Sequence, residues 1–377
     1  MKPARVPWLA FAAFAVLMRI AAAGAPPADV GGILQGPAAG FAQVTGARPF
    51  SFPADAGPHP EFRQEWWYTT GNLEAADGER FGFELTFFRY ALEPPAAASA
   101  GTSAWRTREI YLAHFAVTDV AAGRFRYGEK LSRAALGLAG AAADPLHVWI
   151  DDWYLKLAPG VATSWLLHAG AQGYELDLQL DASGAPVLNG VDGFSAKSAT
   201  PGDASYYYSL PRVGVRGRLV RAGRPLAVTG LAWFDREWGS GALGRGEVGW
   251  DWFALQLQDG STLMFYALRT AHGGFDPHSA GTWVDPAGVA RPLSAQQVSV
   301  QVTDHWLSSR RVRYPSAWRV QVPQLSLDLT VRPLLADQEL GTTPRYWEGA
   351  VDVRGTRAGE ALGGRGYVEL VGYPQER

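Results

Sequence analysis

The chain has 377 residues and not one of them is cysteine. That absence removes thiol nucleophiles, iron–sulfur clusters, Cys-ligated zinc, disulfide bridges and a lipid-modified cysteine anchor. Histidine is sparse at seven residues. The seven form no His-x-His or His-x-x-x-His pair. His272 and His278 sit six apart in a glycine-rich stretch, a weak metal signal, and no metal is expected. Charged residues make up only 19%, with a formal net charge of −2. No basic field is available for nucleic acid, so it is not an expected partner. No Gly-x-Ser-x-Gly elbow, His-Glu-x-x-His helix, P-loop or dinucleotide fingerprint is present. No cofactor is implied. Helical periodicity is nearly absent; the only candidate helical pieces are short, at 133–142 and 333–338.

What the chain has is apolar bulk. Hydrophobic residues reach 47%, with 15 Trp, 44 Gly and 25 Pro. This composition supports a large core and argues against disorder. The length accommodates two domains of roughly 100–200 residues. Residues 1–25 read as a signal peptide. Lys2 and Arg5 precede an apolar stretch at 8–18 that is too short to span a bilayer, and small residues at 21–25 offer a cleavage site. Arg19 interrupts that pattern. The expected product is exported, periplasmic or secreted, with no membrane span after cleavage. Residues 26–60 form a Pro/Gly-rich leader that wraps or trails.

From residue 61 onward the chain reads as short alternating runs. Phe81, Phe83, Leu85 and Phe87 share one face, as do Leu176, Leu178 and Leu180. The segments 298–302, 325–331 and 350–354 alternate as well. Many short strands with turn signals between them predict an all-β sandwich or barrel. A faint repeat is also present. Glu65-Trp66-Trp67-Tyr68, then Asp77-Gly78, then Arg89, is echoed by Gly249-Trp250-Asp251-Trp252, Asp259-Gly260 and Arg269. Two copies suggest two related β-units. Arg89 and Arg269 fall on apolar faces and need partners: a Trp face, Glu65 or Asp251 would serve.

The densest chemistry lies between residues 233 and 252, where Asp235, Glu237 and Asp251 fall among four Trp. On an extended strand Asp235 and Glu237 share a face about 6.6–6.8 Å apart. Asp251 alternates with Phe253, Leu255 and Leu257. A carboxyl in apolar surroundings has a raised pKa and can donate a proton near neutrality. Trp faces would stabilise a carbocation formed by protonating an alkene. The plainer alternative is that Asp235 and Glu237 pair with Arg236, Arg245 or Arg269, while the Trp residues plug a barrel. His114 alternates with Leu112 and Ala116, as a core histidine or as a polar group in a ligand cavity.

Several motifs resemble the carotenoid 1,2-hydratase (hydroxyneurosporene synthase) family, most closely its "predicted secreted hydrolase" branch. They are Gln64-Glu-Trp-Trp-Tyr-Thr-Thr-Gly-Asn-Leu73, Tyr207-Tyr-Ser-Leu-Pro-Arg212, Gly230-Leu-Ala-Trp-Phe-Asp-Arg-Glu-Trp-Gly239, Tyr346-Trp-Glu-Gly349 and Gly364-Arg-Gly-Tyr-Val-Glu-Leu-Val-Gly-Tyr373. The resemblance covers nearly all of 50–375. It implies an all-β fold of two lipocalin-like antiparallel β-barrels packed side by side, at 61–240 and 241–377. It also implies addition of water across a carbon–carbon double bond. The family motif Asp-His-x-Trp-Gly reads Asp235-Arg236-Glu237-Trp238-Gly239 here. Arg stands in place of His, and Arg cannot shuttle protons.

The resulting expectation is a lipocalin-like hydro-lyase acting on a hydrophobic, isoprenoid or carotenoid-like small molecule. Asp235, Glu237 and Asp251 are the catalytic candidates. Trp66, Tyr68, His114, Trp238, Trp252 and Arg269 are the substrate-binding candidates. The alternative is a non-catalytic carrier of a lipid or other hydrophobic ligand. A third reading is a sugar site, because the carboxylate spacing just reaches the inverting-glycosidase range of about 6.5–9.5 Å.

Overall fold

Residues 64–75 show how the local pattern builds the whole. Trp67, Leu73 and Ala75 point into one apolar core, while Trp66 and Tyr68 point out of it into another. Both faces of this strand are covered, so it sits between two layers. The computed structural model describes residues 38–97, 107–241, 244 and 246–376. The signal-peptide expectation for 1–25 lies outside them. Among the described residues no helix is long and apolar enough to cross a membrane.

The first sheet holds thirteen strands: β1 (Gln64–Ala75), β2 (Arg80–Ala91), β3 (Glu109–Asp119), β4 (Arg124–Arg133), β5 (Ala139–Ala143), β6 (Leu146–Ile150), β7 (Trp153–Leu157), β8 (Ser164–Ala171), β9 (Tyr174–Asp181), β10 (Val187–Leu188), β11 (Phe194–Ala196), β12 (Ala204–Arg221) and β13 (Arg224–Gly239). The second holds ten: β14 (Glu247–Leu257), β15 (Thr262–Thr270), β16 (Ala280–Val284), β17 (Ala290–Ser294), β18 (Ser299–Leu307), β19 (Arg313–Val322), β20 (Leu327–Pro333), β21 (Glu339–Leu340), β22 (Tyr346–Arg357) and β23 (Glu360–Val371).

Both sheets are antiparallel and follow one plan. In each, the first strand pairs with the last: β1 with β13, and β14 with β23. The two edges are chain neighbours in each case, β4 with β5 and β17 with β18. The first sheet is nearly closed, since β4 lies against β6 and β8. The second is a half-barrel. Together they form a lipocalin-like two-unit fold.

The faint repeat has a structural basis. Gly78 and Gly260 take positive φ (85° and 93°) in equivalent hairpins, where an L side chain would be strained. Asp77 and Asp259 each accept a backbone N–H two residues on. The arginine near the end of each second strand reaches back to an acid on the first: Arg89 to Glu65 at 2.9 Å and Arg269 to Asp251 at 2.9 Å.

Two helical expectations are corrected. Residues 133–142 form the end of β4, a turn, and the start of β5, because Leu136 and Gly137 adopt positive φ (54° and 73°). Residues 333–338 are an irregular strap whose Leu334 N–H is tied to Ala350 O at 2.9 Å. Six residues are too few to hold a helix against such tertiary bonds. In the leader, residues 38–60 pack on the first barrel. Val44 is fully buried, and the Trp67 indole N–H donates to Ala56 O at 2.8 Å.

Three cores result, one inside each sheet and a third in the seam between them. Gly82 on β2 allows a close approach across that seam. A Cβ there would lie 2.5 Å from Ala350 Cβ on β22 and 2.8 Å from the Tyr367 hydroxyl.

Candidate functional site

The seam opens into a cavity of about 100 Å³ walled by both sheets. The period-two alternation of β1, β13, β14 and β23 decides what faces it. From the first sheet come Trp66, Tyr68, Asp235 and Glu237; from the second come Trp250, Trp252 and Glu369. Aromatic rings form most of the wall and carboxyls are set into it.

Asp235 is the best-connected group. Its Oδ1 accepts hydrogen bonds from Ser209 Oγ (2.6 Å) and Trp233 Nε1 (2.6 Å), and its Oδ2 accepts one from Tyr207 OH (2.5 Å). Tyr207 in turn accepts from Trp252 Nε1 at 3.2 Å. A carboxylate has about four acceptor sites, so three are occupied and one on Oδ2 is left for a proton. Burial pushes the Asp235 carboxyl up to about 7, against the downward pull of its three donors and with help from Glu237.

Glu237, two residues on, pairs with Lys197 Nζ at 3.1 Å and accepts a hydrogen bond from Ser205. Burial pulls the Lys197 ammonium down, but Glu237 and Tyr266 outweigh it and leave it raised and charged. Lys197 also lies 4.1 Å from the Tyr266 ring centroid. Glu369 belongs to the second sheet and accepts from Trp250 Nε1 at 2.7 Å. Burial pushes it up to about 7, with further upward pressure from Glu237 and Asp235. The cavity therefore holds two carboxyls poised at neutrality and one carboxylate neutralised by lysine.

Of the residues singled out in the sequence, Asp235, Glu237, Trp66, Tyr68 and Trp252 line this cavity. Asp251, Trp238, His114 and Arg269 do not. Asp251 alternates out of phase with Trp250 and Trp252, so it points into the second barrel. There it accepts from Tyr373 OH at 2.9 Å and from Arg269, and burial pushes it up to about 6. Arg269 stays with it, 3.8 Å above the Tyr373 ring. Trp238 lies inside the first barrel, stacked on His59 at 3.9 Å. His114 is buried in the seam, bonded to Tyr346 OH (2.8 Å) and Glu129 (3.2 Å).

Arg236 also faces the first barrel's interior. It binds Glu65, donates to Gly57 O at 2.6 Å, and stacks over Trp67 at 3.9 Å. Burial pushes the Glu65 carboxyl up, but Arg236, His59 and Arg89 outweigh it and hold it well below the usual range. The arginine in the Asp-His-x-Trp-Gly position is thus part of a buried ion cluster, on the opposite face of β13 from Asp235.

Lys197, Tyr207, Trp250 and Glu369 were not singled out as site residues in the sequence. Tyr207 and Glu369 lie within the quoted motifs; strand alternation from Trp252 leads to Trp250 and from Tyr367 to Glu369, whereas no such signal pointed to Lys197 or Tyr207. Among the described residues, one grouping has metal-ligand spacing: His168, Glu175 and Asp177 on the outside of the first sheet. Arg218 already reaches Asp177 (2.5 Å) and Glu175 (3.6 Å), which opposes a cation there.

Two barrel-like sheets with an aromatic, carboxyl-bearing cavity at their seam define a lipocalin-like two-domain class of protein. The chain belongs to the AttH-like family, whose model matches residues 43–373; the resemblance drawn from the motifs falls in the same family. A solved AttH-like structure from Nitrosomonas europaea is 35% identical, covers 89% of this chain and all of its own, and superposes with a TM-score of 0.79. The fold is shared with kievitone hydratase of Nectria haematococca at 16% identity, covering 90% of this chain and 98% of that one, with a TM-score of 0.67. Dehydratase asqC of Emericella nidulans is 26% identical over 211 residues; the match spans 52% of this chain and 57% of that enzyme.

Proposed function

We propose that the seam cavity is a hydro-lyase site that adds or removes water at a carbon–carbon double bond of a hydrophobic small molecule. The observation that carries this reading is the pair of carboxyls lining one aromatic cavity, Asp235 from one sheet and Glu369 from the other, both pushed up to about 7 by burial. The asqC and kievitone enzymes, named for dehydration and hydration, support it.

In the hydration direction Asp235 gives its Oδ2 proton to one alkene carbon, forming a C–H bond. The cation left on the other carbon lies against the Trp66, Trp250 and Trp252 faces. Water adds to it, forming the C–O bond, and its surplus proton passes to the Glu369 carboxylate. Dehydration runs the same steps backwards. Tyr207, Ser209 and Trp233 hold the Asp235 carboxyl in place and stabilise the charge it acquires. The Lys197–Glu237 pair supplies a polar end to an otherwise apolar wall.

The test is turnover in heavy-oxygen water with a panel of hydrophobic alkenes and alcohols, acyclic isoprenoids and prenylated phenols included. The expected result is gain or loss of one water, with label in the alcohol and loss of activity in Asp235→Asn. Ligands that bind and return unlabelled from the whole panel would sink the hydro-lyase reading and favour a carrier.

A further inference from the structure

Behind the cavity lies a second polar cluster that the reaction as written does not use. Glu348 on β22 stands directly opposite Glu369 on β23, and cross-strand neighbours lie about 4.5–5.5 Å apart at Cβ. Glu84 projects into the same seam from β2. Both Glu84 and Glu348 are fully buried, and no lysine or arginine forms an ion pair with either among the described residues. Burial pushes both carboxyls well above their usual range, with Glu369 adding to each. Tyr68, which lines the cavity, donates to Glu348 Oε1 at 2.6 Å. Both Glu84 oxygens and Glu348 Oε2 are otherwise buried without a hydrogen-bond partner. Isolated charges would be prohibitively costly in such a place, so the carboxyls hold protons.

An ordered chain of groups leads outward from the cluster. The Glu84 carboxyl lies beside the Tyr346 hydroxyl. Tyr346 OH is 2.8 Å from His114 Nδ1, and His114 Nε2 is 3.2 Å from Glu129 Oε2. Glu129 is open to solvent, its side chain 32% exposed. Burial pushes the Glu129 carboxyl up, but His114 and the Thr343 N–H outweigh it and keep it ionised. Burial keeps His114 low and neutral, against the pull of Glu129. That fixes the polarity of the chain: Tyr346 donates to Nδ1, and Nε2–H donates to Glu129.

We infer that Glu369, Glu348, Glu84, Tyr346, His114 and Glu129 form a proton relay joining the seam cavity to solvent at the β4 rim of the seam, where Glu129 lies opposite His114. The role deepens the hydro-lyase reading and rests on it. Each hydration leaves Asp235 without its proton and Glu369 with an extra one, so both must be reset before the next turnover. In the relay the Glu369 proton moves to Glu348 as Glu348 hands its own proton to Glu84, and Glu84 in turn releases the one it held. That proton moves on to the Tyr346 oxygen as the tyrosine proton shifts to His114 Nδ1, and the Nε2 proton exits to Glu129. The unpartnered Glu84 and Glu348 oxygens are the points at which internal water bridges successive groups.

The experiment needs no substrate. Infrared spectra of the full chain at neutral pH are expected to show protonated-carboxyl bands, lost one at a time in Glu84→Gln and Glu348→Gln. On transfer to deuterated buffer, the Glu84 band should shift rapidly in the unaltered protein. The shift should be slower by roughly tenfold or more in Glu129→Gln and His114→Phe, the effect of a modestly raised barrier. Glu129→Asp should restore it. Glu129 is at the surface, so its variants keep the test readable if His114→Phe fails to fold. Absence of protonated bands, or exchange unchanged in Glu129→Gln, would overturn the relay. That outcome would leave the hydro-lyase reading intact, because the cavity can exchange protons through its own mouth. A failed hydration assay would not alter the exchange rates.

Discussion

Asp235 and Glu369 come from different sheets, yet they line the same cavity, and burial brings both carboxyls to about 7. Asp235 adds to the upward pressure on Glu369, so an ionised Asp235 favours a protonated Glu369. Catalysis needs one of them protonated and the other not. The expected kcat/KM profile is therefore a bell centred near neutrality. Asp235→Asn should lower kcat/KM by roughly 100-fold or more while preserving ligand quenching of Trp fluorescence. Glu369→Gln should remove one limb of the bell. A flat profile through neutrality would contradict the assignment.

The same shifts act on stability. A carboxyl whose folded pKa lies above its unfolded value binds its proton more tightly when folded. Its contribution is complete below the unfolded value of about 4 and is lost as pH rises through about 7. Urea midpoints should fall between about pH 5 and pH 8. An upward shift of about three units corresponds to a ceiling on the order of 4 kcal/mol per group. Asp235→Asn and Glu369→Gln should each flatten the slope, and the double variant most. Asp251, at about 6 with Arg269 beside it, should leave a smaller residual slope.

Tyr207 tunes Asp235 from 2.5 Å away. Its hydroxyl stabilises the ionised carboxyl, so Tyr207→Phe should raise the Asp235 pKa and move the corresponding limb of the rate profile upward. The substitution also leaves the Trp252 indole N–H without its acceptor, at about 1–3 kcal/mol for an unsatisfied buried donor. Activity should drop roughly tenfold at neutrality. An unshifted pH profile would place Tyr207 outside the chemistry.

Strand alternation explains which parts of this site were legible. Phe81, Phe83, Leu85 and Phe87 announced an inward face, and they line the first core. The Trp-strand-Arg echo announced two related units, and both have the same first-to-last strand closure. Asp235 and Glu237 share a face as their spacing required. What sequence spacing does not carry is the partner across the seam. Glu369 is 134 positions from Asp235 in sequence, and only the packing of sheet against sheet brings them to one cavity. Asp251 misled for the same reason: its apolar face is real, but it is the interior of the second barrel. The 133–142 stretch misled through its alanine content, which favours helix locally until Leu136 and Gly137 turn the chain.

Arg236 and Glu65 supply the last test, because they separate a structural ion cluster from a catalytic one. Glu65 is fully buried between Arg89 at 2.9 Å and Arg236, with His59 at 3.3 Å. Removing Glu65 takes Arg236's ion pair away and leaves Arg89 with Glu109 alone, while removing Arg236 leaves the buried Glu65 one arginine short. Arg236→Gln and Glu65→Gln should each cost about 3–5 kcal/mol, read as a lower thermal midpoint. Glu65 sits well below the usual carboxylate range. Its contribution is present above the unfolded value of about 4 and lost as pH falls, so the penalty of Glu65→Gln should shrink in acid. Because these side chains point away from the cavity, the pH–rate profile of the surviving folded protein should keep its midpoints. A shifted optimum in Arg236→Gln at undiminished stability would instead show that the Arg236 charge acts on the cavity carboxyls across β13.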